Sequence, residues 1–67
     1  MNPAQFRAIR QRLGLTQAEL AAVLGYHGPM AISQFERESN PRDVPPLLER
    51  LMRAYDAGYR PKDWPRK

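Results

Sequence analysis

Glycine and proline confine the middle of this chain to short helices. Residues 14–36 read GLTQAELAAVLGYHGPMAISQFE. Thr16 stands three residues before Glu19, the spacing of a capping box. In that device the Thr hydroxyl accepts from a first-turn N–H and the Glu side chain reaches back to the cap. Apolar residues follow at Leu20, Ala21 and Leu24, one face of a ~3.6-residue period. Gly25 is the stop, since a left-handed residue is least costly there. Gly28 and Pro29 reopen the chain, Pro being suited to the first position of a helix. Ile32 and Phe35 give this second helix a buried side and read as core. Met30, Ser33, Gln34 and Arg37 are left on its other faces. The stretch reads as two short helices joined by a tight turn.

Composition sets outer limits. Sixty-seven residues make one small domain, 1–67, near the lower end of what folds on a hydrophobic core alone. The absence of Cys removes disulfides and thiolate metal sites. No apolar run approaches the ~18 residues of a membrane span, and MNPAQFRAIRQR lacks a signal-type apolar stretch. The expected location is cytoplasmic, with no membrane partner. The net charge of +4 favours polyanionic partners. It forms no block: residues 1–37 hold four Arg against two Glu, and 38–67 hold seven Lys or Arg against five acids. Charge alone therefore marks no binding face. Catalysis is hard to assemble from one His, no glycine-rich phosphate loop, and Ser33 and Ser39 without a His in a convincing relation. No second His, Cys or carboxylate sits at ligand spacing from His27, so no metal and no cofactor is expected.

The flanks add two helices. Asn2 is a cap residue, Pro3 a first-turn residue, and Gln5 lies three after Asn2. The helix they open ends at Arg12 or Leu13, with Phe6, Ile9 and Leu13 inward and Arg7 and Arg12 on a solvated surface. Residues 38–46, ESNPRDVPP, form a loop through which the prolines forbid a helix. Asp43 is the expected cap of the next helix, with Pro45 or Pro46 in its first turn, and Gly58 is its stop. Leu47, Leu48, Leu51, Met52, Ala54 and Tyr55 make it apolar over much of its girth. Such breadth calls for a second contact, from the tail or another subunit. The tail, 59–67, is too short and Pro-rich for a full fifth helix. Trp64, with Tyr59, is expected against Met52 and Tyr55 or a dimer partner, and Arg66 and Lys67 form a basic end. The fold class is all-α, with four to five helices.

The central residues resemble the helix-turn-helix of the Cro and phage-repressor (Xre) family of DNA-binding proteins. The resemblance is carried by Leu13-Gly14-Leu15-Thr16-Gln17-Ala18-Glu19-Leu20-Ala21, then Leu24-Gly25, then Ile32-Ser33-Gln34-Phe35-Glu36. It implies a compact repressor-like domain with its helix-turn-helix at about 16–37, followed by a C-terminal helix and Pro-rich tail over 43–67. Family members commonly carry one more helix, so this chain looks like a shortened version. Gly25 and Ile32 stand one residue further apart than in the family, and the extra residue is placed in the turn at 26–29.

The resemblance also implies roles. Arg10 would pair with Glu36, as an arginine and a glutamate do at these points of the family; the plainer reading leaves Arg10 in water. Gln17 would contact the DNA backbone, consistent with the free N–H groups and partial positive charge of a helix N-terminus. Thr16 would share in that contact, though capping alone explains it. Alignment through Ile32 puts Pro29 and Met30 where the family often has base-reading polar residues. Pro29 cannot donate, and Met30 offers an apolar contact. Gln34, with Ser33, is then the best direct reader, Gln pairing most naturally with adenine. His27, with Tyr26, lies in the lengthened turn and would replace the missing donors or touch phosphate, the plainer reading of His27 being a structural or exposed residue. Arg37 and Arg42 fall where family members approach the backbone, the alternative for Arg42 being a solvated linker.

The expected function is that of a sequence-specific double-stranded DNA-binding transcriptional regulator, a repressor or autorepressor acting by occupancy of an operator. It would act as a homodimer on an inverted repeat with half-sites ~34 Å apart. Such short regulators resemble those of phages and mobile elements, including those beside toxin or anti-CRISPR genes. The alternatives are an antitoxin that also captures a toxin protein, and a protein-interaction module that has lost base reading, which Pro29 and Met30 would favour.

Overall fold

The computed structural model describes residues 1–65 and contains α1 (Pro3–Arg12), α2 (Gln17–Leu24), α3 (Met30–Glu36) and α4 (Pro46–Asp56). No strand occurs among the described residues, and the fold is all-α. Arg66 and Lys67 lie outside the described residues.

Capping boxes start α1 and α2. Asn2 Oδ1 accepts from the Gln5 N–H at 2.8 Å, and Gln5 Oε1 accepts from the Asn2 N–H at 2.9 Å. Thr16 and Glu19 repeat the exchange at 3.1 and 2.8 Å. Each box satisfies backbone donors that a helix start otherwise leaves open. At the end of α2, Gly25 has φ 84°. Its N–H donates to the Ala22 carbonyl at 3.2 Å, and the Tyr26 N–H donates to Ala21 at 2.9 Å. These paired bonds make a Schellman ending, which places a Cβ-free residue in the left-handed region. Equivalent bonds close α1 from Gly14 and Leu15, and α4 from Gly58 and Tyr59.

The starts of α3 and α4 differ from the sequence reading. Pro29 is the cap of α3 and not its first residue, and it makes no side-chain cap bond. Arg37 is already extended, so α3 ends at Glu36. Asp43 does not cap α4: the cap position is Pro45, again without a side-chain bond. Pro46 excludes α geometry from the residue before it. Pro45 is therefore held extended, at φ −59° and ψ 147°, and α4 begins too late for Asp43 to serve it.

The buried cluster joins Phe6 and Ile9 of α1, Leu15, Leu20 and Ala21 around α2, Ile32 and Phe35 of α3, and Leu48, Met52 and Tyr55 of α4. The Phe6 and Phe35 rings lie 5.3 Å apart at its centre. Full burial of a large apolar side chain stabilises by ~1.5–3 kcal/mol, and this cluster holds α3 between α1 and α2. Leu13 and Leu24 are only partly buried, and Leu47 is 79% exposed.

The tail turns back on its own protomer. Trp64 meets Tyr55 edge-on with centroids 5.1 Å apart, and Tyr59 stacks on Tyr55 at 5.9 Å. The Arg60 guanidinium sits 4.5 Å from the Trp64 ring centroid. Its Nη1 donates to the Tyr55 and Tyr59 carbonyls at 2.7 and 2.8 Å, placing a cation at the negative end of α4. Met52 is wholly buried in the core and has no surface to offer a partner.

Candidate nucleic-acid interface

One side of α3 is committed to the core by Ile32, Phe35 and Glu36. Met30, Ser33 and Gln34 follow the i, i+3, i+4 pattern of a single opposite face, and Arg37 follows at the end of the helix. Met30 is 71% exposed, Ser33 and Arg37 are exposed, and Gln34 is half-buried. Arg37 Nε donates to the Asn40 carbonyl at 2.9 Å, which pins the start of the following loop. Met30 and Gln34 line a shallow hollow with Tyr26, His27, Gly28, Ala31 and Arg42. His27 is exposed on its rim. The hollow exists because the loop returns: the Arg42 N–H donates to the Gln34 carbonyl at 2.9 Å.

The start of α2 meets the end of α3 through Glu36. The Glu36 side chain is 5% exposed and that of Arg10 is 12% exposed. Arg10 donates from Nε to Oε2 at 2.6 Å and from Nη2 to Oε1 at 3.0 Å. Its Nη1 donates to the Leu15 carbonyl at 2.9 Å, so one guanidinium ties α1, the α1–α2 connection and α3 together. Gln17 Nε2 adds a third donor to Glu36, at 3.2 Å. An amide nitrogen carries two hydrogens, so Gln17 retains one outward donor. The capping box uses the N–H groups of Thr16 and Glu19. Those of Gln17 and Ala18 have no intrahelical partner at a helix start, which leaves them for an anion.

A family model described as a helix-turn-helix domain matches residues 4–62. The chain belongs to the helix-turn-helix domain family. Neither the curated proteins nor the solved structures give a match. Within a helix-turn-helix the second helix is the one that lies in the major groove.

Two features of this helix-turn-helix were not legible in the sequence. The Gln17 bond to Glu36 joins positions without a periodic relation, although the placement of Gln17 at the helix start could have raised it. Arg42 rests against α3, with its guanidinium carbon 5.0 Å from the Phe35 ring centroid and Nη1 3.4 Å from Gln34 Oε1. No spacing rule links a residue in a proline-rich loop to a helix eight positions earlier. Among the expected tail contacts, Tyr55, Tyr59 and Trp64 come together, whereas Met52 lies in the core.

Proposed function

We propose that this chain is a sequence-specific double-stranded DNA-binding transcriptional regulator of the Cro and phage-repressor kind, acting as a repressor by operator occupancy. The observation that carries this reading is the pairing of two surfaces. The exposed face of α3 offers Met30, Ser33 and Gln34, with Arg37 following at its end. The start of α2, fixed to the end of α3 through Gln17 and Glu36, offers backbone donors and an amide. The first surface suits base edges and the second suits phosphate, a division typical of DNA recognition. His27 and Arg42, beside Met30 and Gln34, extend the polar rim.

A seven-residue recognition helix reads few base pairs. Two copies on an inverted repeat supply the rest, with half-sites ~34 Å apart. Tyr55 is covered by the protomer's own tail, so the outward apolar side chains of α4 for a second copy are Leu47 and, in part, Leu51, with Tyr59 exposed beyond them. Selection from a random duplex pool at near-physiological salt tests the proposal. An enriched inverted repeat supports it, and its spacing reports the dimer geometry. Weak, salt-sensitive retention with no enriched sequence rejects it.

A further inference from the structure

Arg42 is placed where it governs what Gln34 can read. The backbone bond to the Gln34 carbonyl fixes the loop on the last turn of α3. The guanidinium carbon lies 5.0 Å from the Phe35 ring centroid and 6.0 Å from that of Tyr26, within the range of cation–π attraction. Nη1 approaches the Gln34 side-chain amide at 3.4 Å. A guanidinium has donors only, so the amide atom facing it is the oxygen. No carboxylate among the described residues forms an ion pair with Arg42, and its charge stands beside that amide uncompensated.

We infer that Arg42 and Gln34 form a donor-dominated reader selective for guanine, with Arg42 as the residue that sets this specificity. The inference rests on the DNA-binding reading above. A free glutamine recognises adenine by donating to N7 and accepting from the N6 amino group. With Arg42 on its oxygen, Gln34 keeps two amide N–H donors, and the guanidinium adds its own. Guanine presents two acceptors, N7 and O6, to the major groove, whereas adenine presents one acceptor and one donor. Both guanine atoms meet donors. The adenine amino group meets a guanidinium of its own donor-only kind, and the one lone pair left on the Gln34 oxygen lies beside that cation. Arg42 thereby reverses the adenine preference that Gln34 carries by itself.

The test is parallel selection from a random duplex pool with the wild type, Gln34→Ala and Arg42→Met. The position read by Gln34 is the one whose preference Gln34→Ala erases. Arg42→Met keeps an apolar stem over Phe35 and Tyr26 while removing every donor, and circular dichroism checks its helicity. The wild type is expected to prefer guanine to adenine there by about tenfold or more. Arg42→Met is expected to shift that position to adenine and leave the rest of the half-site unchanged. Arg42→Gln, which can offer an acceptor to its neighbour, is a second comparison and should also lose the guanine preference. Adenine in the wild type, guanine retained by the folded Arg42 variants, or an operator insensitive to Gln34→Ala overturns the inference while leaving operator binding intact. No enriched sequence with the wild type overturns both readings.

Discussion

Arg10 grips Glu36 with two parallel hydrogen bonds across 26 positions of sequence, at 2.6 and 3.0 Å. The fork fixes α1 against the end of α3 at the point where Gln17 also arrives. A buried ion pair adds little net stability, because desolvation offsets much of its attraction, but removing one partner strands the other charge. Arg10→Met is therefore expected to destabilise by about 3 kcal/mol, since it leaves the Glu36 carboxylate with Gln17 as its remaining side-chain donor. Arg10→Met combined with Glu36→Leu should recover most of that loss. Denaturant unfolding of the two single variants and the double variant measures the cycle. A loss in the double variant equal to the sum of the two single losses would show that the two side chains contribute independently, through packing alone.

The sequence disclosed most where local chemistry decides. The capping boxes of Asn2 with Gln5 and Thr16 with Glu19, and the stops at Gly25 and Gly58, follow from hydrogen bonds spanning a few residues. The structure places each of them as read. Asp43 does not cap α4 because two consecutive prolines move the helix start, a local constraint that overrides the cap preference. Leu47 belongs to the broad apolar surface of α4, and the structure leaves it exposed while Leu48, Met52 and Tyr55 are buried. One turn of a helix cannot show from its own sequence which neighbours will cover it. The position of Arg42 was least legible, since it depends on how a proline-rich loop closes over rings supplied by Tyr26 and Phe35.

Arg37 and Gln17 approach DNA through different physics, and salt separates them. Each neutralised phosphate releases counterions and adds about one unit to the slope of log K against log salt. Arg37→Ala should weaken binding to operator and random duplexes alike and lower that slope by about one. Gln17→Ala removes a neutral donor, so it should weaken both complexes with the slope unchanged. Fluorescence titration at several salt concentrations reads both quantities. An unaltered slope for Arg37→Ala would remove that residue from the phosphate contacts. A Gln17→Ala effect confined to stability would leave its amide as a support for Glu36 alone.

The aromatic tail is expected to stabilise the protomer that carries it. Trp64 covers Tyr55, and Arg60 joins the indole face to the last carbonyls of α4. Trp64→Ala should lower stability by about 1–3 kcal/mol, through lost burial and the lost edge-on ring contact. In a chain this short that corresponds to a fall in Tm of several degrees. Thermal unfolding followed by circular dichroism, with sedimentation at matched concentrations, distinguishes the roles. A change in association state with unaltered Tm would move Trp64 from tail packing to a subunit contact.

Acid should loosen the ends of the bundle before the site itself. Arg12 donates to Asp56 from Nε and Nη2 at 3.0 and 2.9 Å, joining the ends of α1 and α4. These bonds hold the Asp56 carboxyl below its ordinary range. Glu49 is lowered likewise, first by the hydrogen bond from the amino group of Met1 and then by Arg53. A carboxyl whose pKa falls on folding contributes stability above its unfolded value, about 4 for Asp and Glu, and loses it as pH drops through the folded value. Stability should thus be level, with respect to these two groups, from neutrality to about pH 5 and decline below about pH 4. Both carboxyls lie at the surface, where salt screens such pairs, so the decline they cause should shrink in high salt. Asp56→Asn should lower stability slightly at neutral pH and flatten the acid limb. Urea unfolding from pH 3 to 7 in low and high salt checks this, and an acid limb unchanged by Asp56→Asn would exclude the Arg12 pair as its source.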